Sequence, residues 1–128
     1  MLHKNLTIND SGRLCIAGRD TVELAQKYGT PLMVMDEARI RRNFSGYKTA
    51  MEKYFGEGSY PLFASKAFSC KYIYRIAKEE GMGIDCVSSG ELYTARRAEF
   101  PAERIYFHGN NKTDADISFA LEMGVGRI

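Results

Sequence analysis

Four short extended segments recur along the second half of the chain at a nearly constant interval, and that period restricts the fold more than any other feature. Leu62, Ile84, Ile105 and Arg127 mark equivalent points in them, 22, 21 and 22 residues apart. The segments are Pro61 to Ser65, Gly83 to Val87, Arg104 to Phe107 and the start of a fourth at Val125 to Ile128. Between them lie runs with helical spacing. Ser69 is positioned to cap a helix carrying Ile73, Ile76 and Ala77, closed by Gly81. Ser88 and Ser89 can cap a second through Leu92 and Ala95, ending before Pro101. Thr113 and Asp116 resemble a capping box for a third, with Ile117, Ala120 and Leu121, closed by Gly124. Repeated strand–helix units of equal length build parallel sheets with right-handed crossovers. The strands read as apolar on both faces, as buried parallel strands are. An α/β fold follows, either a (β/α)8 barrel or an open doubly wound sheet, and the uniform period favours the barrel. A closed barrel takes about 250 residues, so a chain of 128 is expected to supply only part of one. An uncovered strand edge would favour association.

Upstream of the period the pattern differs. Residues 5–17 read as two extended pieces around the turn Asn9-Asp10-Ser11-Gly12. A helix follows, started by a capping box of Asp20 and Glu23 and stopped by Gly29 and Pro31. Leu32 to Met35 reads as a short strand. Asp36 can cap the next helix, whose apolar residues Ile40, Phe44, Tyr47 and Met51 fall at helical spacing.

Composition excludes several classes of function. With 45% apolar and 27% charged residues the chain is ordinary for a soluble domain. No apolar run approaches the roughly 20 residues needed to span a bilayer, and the N-terminus lacks the apolar core of a secretory signal. Three cysteines, 15, 70 and 86, form no CxxC pair. They read as free thiols in a reducing, cytoplasmic setting, with no metal site. Net charge is +2, and the one basic stretch, Arg39, Arg41 and Arg42, reads as a solvated helix face, not a nucleic-acid surface.

In parallel βα folds ligands bind at the carboxyl ends of the strands, so the polar residues after each strand are expected to meet. Lys66 follows the first, Asp85, Ser88 and Ser89 close the second, and His108, Asn110, Asn111 and Lys112 follow the third. Lys66 has apolar neighbours Ala64, Ala67 and Phe68. Shielding from water disfavours an ammonium, and the neutral amine can attack a carbonyl to form an imine. The competing reading is a lysine reaching from a strand end to solvent. Asp85 either accepts a hydrogen bond from Lys66 or a cofactor, or serves as an ordinary ion-pair or capping residue. Ser88, Ser89 and Gly90 at a helix N-terminus either hold an anion or cap. His108 can stack on or bond a ring, act as acid or base, or be structural. Asn110 and Asn111 beside Gly109 also suit a tight loop. Gly81-Met82-Gly83 and Gly124-Val125-Gly126 look like halves of a dinucleotide fingerprint, but each follows a helix and opens a strand, so they read as helix stops.

Four stretches carry a resemblance: Tyr28-Gly29-Thr30-Pro31-Leu32 with Asp36; Phe63-Ala64-Ser65-Lys66-Ala67; Asp85-Cys86-Val87-Ser88-Ser89-Gly90-Glu91-Leu92; and Arg104-Ile105-Tyr106-Phe107-His108-Gly109-Asn110-Asn111-Lys112. Together they resemble the diaminopimelate decarboxylases of the alanine-racemase-like class of pyridoxal phosphate (PLP) enzymes, over about Leu14 to Ile128. His108 to Lys112 points to these over the related ornithine and arginine decarboxylases. The resemblance implies the N-terminal part of a PLP-binding (β/α)8 TIM barrel, incomplete here. Residues 31–128 would form its first βα units, and residues 1–30 a strand and helix segment that packs on a C-terminal β domain. It implies decarboxylation of meso-2,6-diaminopimelate to L-lysine, the last step of lysine biosynthesis, in a cytoplasmic homodimer. Lys66 would bind PLP covalently, and Ala64, Asp85 and His108 would line its pocket. The family's phosphate-binding glycine loop, the acidic partner of the pyridine nitrogen, the substrate-binding arginine and the cysteine and tyrosine donated across the dimer all come later than residue 128. The isolated stretch is therefore expected to be inactive. Ser65 and Phe68 depart from the valine and asparagine common around this lysine. The alternatives are a related basic amino-acid decarboxylase of the same class and a non-catalytic PLP-binding carrier.

Overall fold

The computed structural model describes residues 3–128, which divide into two compact units, the first ending at Ile40 and the second spanning Arg41–Ile128. In the first, β1 (Leu6–Ile8), β2 (Leu14–Ile16) and β3 (Arg19–Asp20) form an antiparallel sheet in that order. The hairpin expected at 5–17 is present. Its turn is held by Asn9, whose Oδ1 accepts from the Ser11 and Arg13 amides at 3.1 and 2.9 Å. Gly12 supplies the positive φ of 72° that this turn requires. The Asp20 carboxylate caps α1 (Thr21–Tyr28), accepting from Val22 and Glu23 amides at 2.8 and 3.3 Å. Asp36 caps α2 (Glu37–Phe55), accepting from the Arg39 amide at 3.1 Å.

Leu32 to Met35 is not a strand. No segment among the described residues pairs with it, and Met33 is 88% exposed. Strand propensity without a neighbouring ladder leaves the backbone irregular.

The second unit alternates strand and helix as the period requires: β4 (Leu62–Ala64), α3 (Lys71–Glu79), β5 (Gly83–Cys86), α4 (Ser89–Arg97), β6 (Ile105–Phe107) and α5 (Asp114–Met123). The sheet is parallel, ordered β4-β5-β6. Phe63, Ile84 and Ile105 stand level, as do Ala64, Asp85 and Tyr106, and an isolated parallel bridge adds Arg127 beside Tyr106. Each step of the ladder is one repeat, so the period of the sequence is the register of the sheet.

Most helix ends follow the sequence signals, though at α1 Asp20 caps without the return bond from Glu23 that a capping box requires. Ser88 caps α4, and Thr113 and Asp116 complete a reciprocal capping box on α5. Gly124 ends α5 in the left-handed conformation. Ser69 does not cap α3: its hydroxyl bonds the Tyr74 hydroxyl at 2.8 Å, and Cys70 takes the cap position with no side-chain bond. The Gly-x-Gly pairs divide their work. Gly81 has φ 74°, whereas at Gly126 a Cβ would meet the Glu103 carbonyl oxygen at 2.2 Å, so that glycine permits close backbone approach.

One face of the parallel sheet is fully covered. Ile84, Cys86, Ile105 and Phe107 are buried, together with Ile73, Tyr74, Ile76 and Ala77 of α3, Leu92 and Ala95 of α4 and Ala120 of α5. Each large apolar side chain in this layer stabilises by roughly 1.5–3 kcal/mol relative to an exposed one. Phe44 of α2 joins through Phe63, ring centroids 5.4 Å apart. Tyr47, expected on the same helical stripe, is instead 65% exposed. The other sheet face carries Ala64, Asp85 and Tyr106, all half-buried, so burial on both faces is not found within this stretch. A barrel covers that face with strands from its far side, and the chain supplies only the adjacent ones. This is the α/β arrangement of an incomplete TIM barrel.

Candidate active site

The carboxyl ends of β4, β5 and β6 bring the expected residues to one rim. Ala64 ends β4 level with Asp85 on β5. Lys66 sits in the single 3-10 turn Ser65–Ala67 that follows. Its side chain is exposed, as are Ala67 and Phe68. The apolar shielding expected around this lysine is thus not provided by its sequence neighbours, because the turn carries all three beyond the strand end. No hydrogen bond or ion pair engages the Lys66 amine among the described residues. The competing picture of a lysine reaching solvent describes this stretch as it stands.

Asp85 is placed differently. Its Oδ1 is buried and has no hydrogen-bond partner among the described residues. An unsatisfied buried acceptor costs about 1–3 kcal/mol. It does not cap α4, since Ser88 does that by accepting from the Glu91 amide at 3.3 Å. Nor does it bond Lys66. Asp85 therefore offers an acceptor to a donor-bearing group brought to the rim.

His108 lies just past β6 and is exposed. Its backbone amide extends the ladder to the Cys86 carbonyl at 2.9 Å, and its ring bonds no backbone group among the described residues. In the following loop only Gly109 takes a positive φ, 147°, while Asn110 and Asn111 do not. Lys112 folds back to the Gly109 carbonyl and stands 5.0 Å over the Phe107 ring. At the α4 N-terminus Ser88, Ser89 and Gly90 form an ordinary capped helix start.

Two groups of polar residues escaped the sequence reading. Ser65 is fully buried and Glu91 is 8% exposed, and they bond each other at 2.8 Å. The spacing Ser88-x-x-Glu91 is a capping-box signal, so Glu91 was visible as a helix-start residue, though not its partner across the sheet. On the half-buried sheet face Tyr106 stands beside Asp85. Its hydroxyl accepts from Arg127 Nε at 3.1 Å. The phenol is held below its usual range, first by a hydrogen bond from Tyr60 and then by Arg127. Burial pushes Tyr60 itself upward.

Residues 37–128 match the family described as pyridoxal-dependent decarboxylase, pyridoxal binding domain. Diaminopimelate decarboxylase of Bacillus methanolicus is 48% identical over 126 residues, covering 98% of this chain and 29% of that protein. The same enzyme of Methanothermobacter thermautotrophicus is 47% identical, covering 94% and 28%. A crystal structure of diaminopimelate decarboxylase from M. jannaschii in complex with L-lysine superposes with TM-score 0.84 at 36% identity, covering 96% of this chain and 29% of that one. A lysine/ornithine decarboxylase from Vibrio vulnificus, complexed with putrescine, reaches TM-score 0.71 at 25% identity, covering 82% and 28%. The chain thus spans under a third of the length of these relatives. It belongs to the pyridoxal-dependent decarboxylases, within their pyridoxal-binding domain.

Proposed function

We propose that the full-length protein carrying this chain decarboxylates meso-2,6-diaminopimelate to L-lysine, with PLP attached to Lys66. The observation that supports it most directly is the rim itself. An unengaged lysine and an aspartate whose Oδ1 is buried without a partner among the described residues stand at adjacent strand ends, where a donor-bearing group would satisfy that oxygen. Those residues fit the cofactor: Lys66 would hold it covalently, and Ala64, Asp85 and His108 would line its pocket. When bound, PLP supplies an electron sink for the carbon that loses carbon dioxide. The protein's part is to bind, orient and exclude water. Lys66, whose amine is unengaged among the described residues, would hold the cofactor at the end of its long stem. Small Ala64 leaves room beside the strand end. Asp85 offers its free oxygen to a donor, and His108, with both ring nitrogens unengaged, is available to stack or bond.

The 128 residues alone are inactive on this reading, because the remaining pocket residues come from later chain. The complete protein is a cytoplasmic homodimer that uses a small amino-acid substrate and engages neither nucleic acid nor membrane. No helix among the described residues is long and apolar enough to cross a membrane. Residues 1–30 pack on a C-terminal β domain, and residues 31–128 open the barrel. A related decarboxylase acting on lysine or ornithine is the second reading. Among solved structures, 36% identity to the M. jannaschii diaminopimelate decarboxylase against 25% to the Vibrio enzyme favours the first. A non-catalytic PLP carrier is a single-domain protein, and finding a β domain after residue 128 would exclude it.

Borohydride reduction of the full-length protein with PLP, followed by digestion and mass spectrometry, tests the assignment. A single pyridoxyl adduct on Lys66, together with lysine formation from diaminopimelate and none of the diamines expected from lysine or ornithine, supports it. Labelling elsewhere, or none, ends it.

A further inference from the structure

We propose that Glu91 is a positioning residue for Lys66: through Ser65 it fixes the turn bearing the lysine against the carboxyl end of β5. The proposal rests on the reading of Lys66 as the PLP lysine. Ser65 and Lys66 are consecutive, yet Ser65 is fully buried and Lys66 is exposed. The Ser65 hydroxyl lies 2.8 Å from Glu91 Oε1 and 2.7 Å from the Asp85 carbonyl oxygen. Glu91 Oε2 accepts from the Val87 amide at 2.7 Å and the Ser88 hydroxyl at 3.0 Å. One carboxylate thereby ties three strand-end segments together: the Lys66 turn, the Asp85–Val87 backbone and the cap of α4.

A helix cap alone does not require this arrangement. In an ordinary capping box the acidic residue reaches back to the cap residue's own amide and stays in water. Glu91 instead bonds the amide one residue earlier, is 8% exposed, and reaches across the sheet to a serine 26 positions away. Burying a carboxylate is costly unless its oxygens are supplied with donors, and both oxygens are supplied here. The effect is to fix the backbone on either side of the Asp85–Lys66 pair while leaving the lysine side chain free.

Hydrogen counting distinguishes the variants. The Ser65 hydroxyl has one proton facing two acceptors. Glutamine at position 91 keeps an oxygen for Val87 and Ser88, and its amide N–H can donate to Ser65, freeing the hydroxyl for the Asp85 carbonyl. Glu91→Gln therefore preserves the link, Glu91→Ala removes it with the cap, and Ser65→Ala removes it while leaving the cap intact.

The test uses the full-length protein, stripped of cofactor and mixed with PLP. The readouts are the rate of adduct formation at Lys66 by timed borohydride quenching, amide hydrogen exchange of residues 65–68, and the thermal midpoint. We expect Glu91→Ala and Ser65→Ala to slow capture at Lys66 on the order of 10- to 100-fold and to speed exchange in the turn. Glu91→Gln should remain close to the parent protein in both. Capture and exchange at parental rates in Ser65→Ala overturn the proposal, and a lowered midpoint in Glu91→Ala then reports helix capping alone. Ser65→Ala decides the matter if Glu91→Ala does not fold. If the parent protein places no adduct on Lys66, the cofactor assignment fails first and this proposal with it.

Discussion

Asp85 stands level with Ala64 in the parallel ladder, and its Oδ1 is buried with no hydrogen-bond donor. The cost is carried by the cofactor-free protein. Replacing Asp85 by alanine removes that acceptor, so the unfolding free energy without PLP is expected to hold or rise by up to about 1–3 kcal/mol. PLP retention should fall in the same variant. Urea unfolding of the cofactor-free protein and dialysis of the loaded protein measure the two effects. A loss of stability without cofactor would mean that Asp85 already has a partner.

Two glycines make opposite predictions. At Gly83 an added Cβ would lie 2.6 Å from Leu62 Cδ2, 2.7 Å from Tyr60 Cε2 and 2.9 Å from the Arg104 carbonyl oxygen. The two side chains can shift, but the backbone oxygen cannot without moving β6. Gly83→Ala is expected to destabilise by about 1–3 kcal/mol. At Gly90, in the first turn of α4, the nearest such atom is Ser88 Oγ at 3.9 Å. Gly90→Ala should stabilise by up to ~1 kcal/mol through lower unfolded-chain entropy. Denaturation midpoints that fail to move in opposite directions contradict this packing.

The α5 cap carries a pH signature. Asp116 Oδ2 accepts from the Thr113 amide at 3.0 Å and the Thr113 hydroxyl at 2.7 Å. These bonds, the amide first, and then the Ser89 hydroxyl hold its carboxyl below the usual 3.8. A depressed carboxylate contributes stability that is present above its ordinary value and lost as pH falls through the folded one. The contribution from Asp116 is therefore complete near neutrality and disappears only below pH 3.8. Thr113→Ala should cost about 1 kcal/mol at neutral pH and flatten acid unfolding in that window. Unfolding curves with parallel acid limbs for the two proteins would refute it.

The thiols should separate by burial. Burial, first of all, pushes the Cys86 thiol up to about 12, and the nearby Ser65 hydroxyl offsets only part of that rise. Cys15 is also buried, whereas Cys70 at the start of α3 is half-buried. Alkylation near neutral pH, followed by peptide mapping, is expected to modify Cys70 first and Cys86 only on unfolding. Early labelling of Cys86 would show that the sheet opens locally.

Most of the architecture was legible because it is local or periodic. The spacing of Leu62, Ile84 and Ile105 reappears as the ladder of β4, β5 and β6, and Asp20, Ser88 and Thr113 cap the helices their spacing assigns to them. The departures arise where a distant partner decides. Ser69 is a good cap by type, but a tyrosine five residues on takes its hydroxyl. Leu32 to Met35 has strand character and no strand to pair with. Lys66 sits among apolar letters, yet beyond the strand end Lys66, Ala67 and Phe68 are all exposed. Ser65 read only as a departure from valine, since its partner Glu91 lies 26 positions away.

Strand alternation has a consequence for how the protein tolerates change. Ile84 and Cys86 belong to the covered layer, while Asp85 between them faces the rim side, and Ile105 and Phe107 flank Tyr106 in the same way. Neighbouring codons thus answer to different demands. On the proposed reading of the opposite face as the cofactor side, substitutions in the covered layer should lower the amount of folded protein, and substitutions between them should lower turnover by protein that still accumulates. Inherited variation along these strands should therefore sort into two phenotypes that alternate residue by residue.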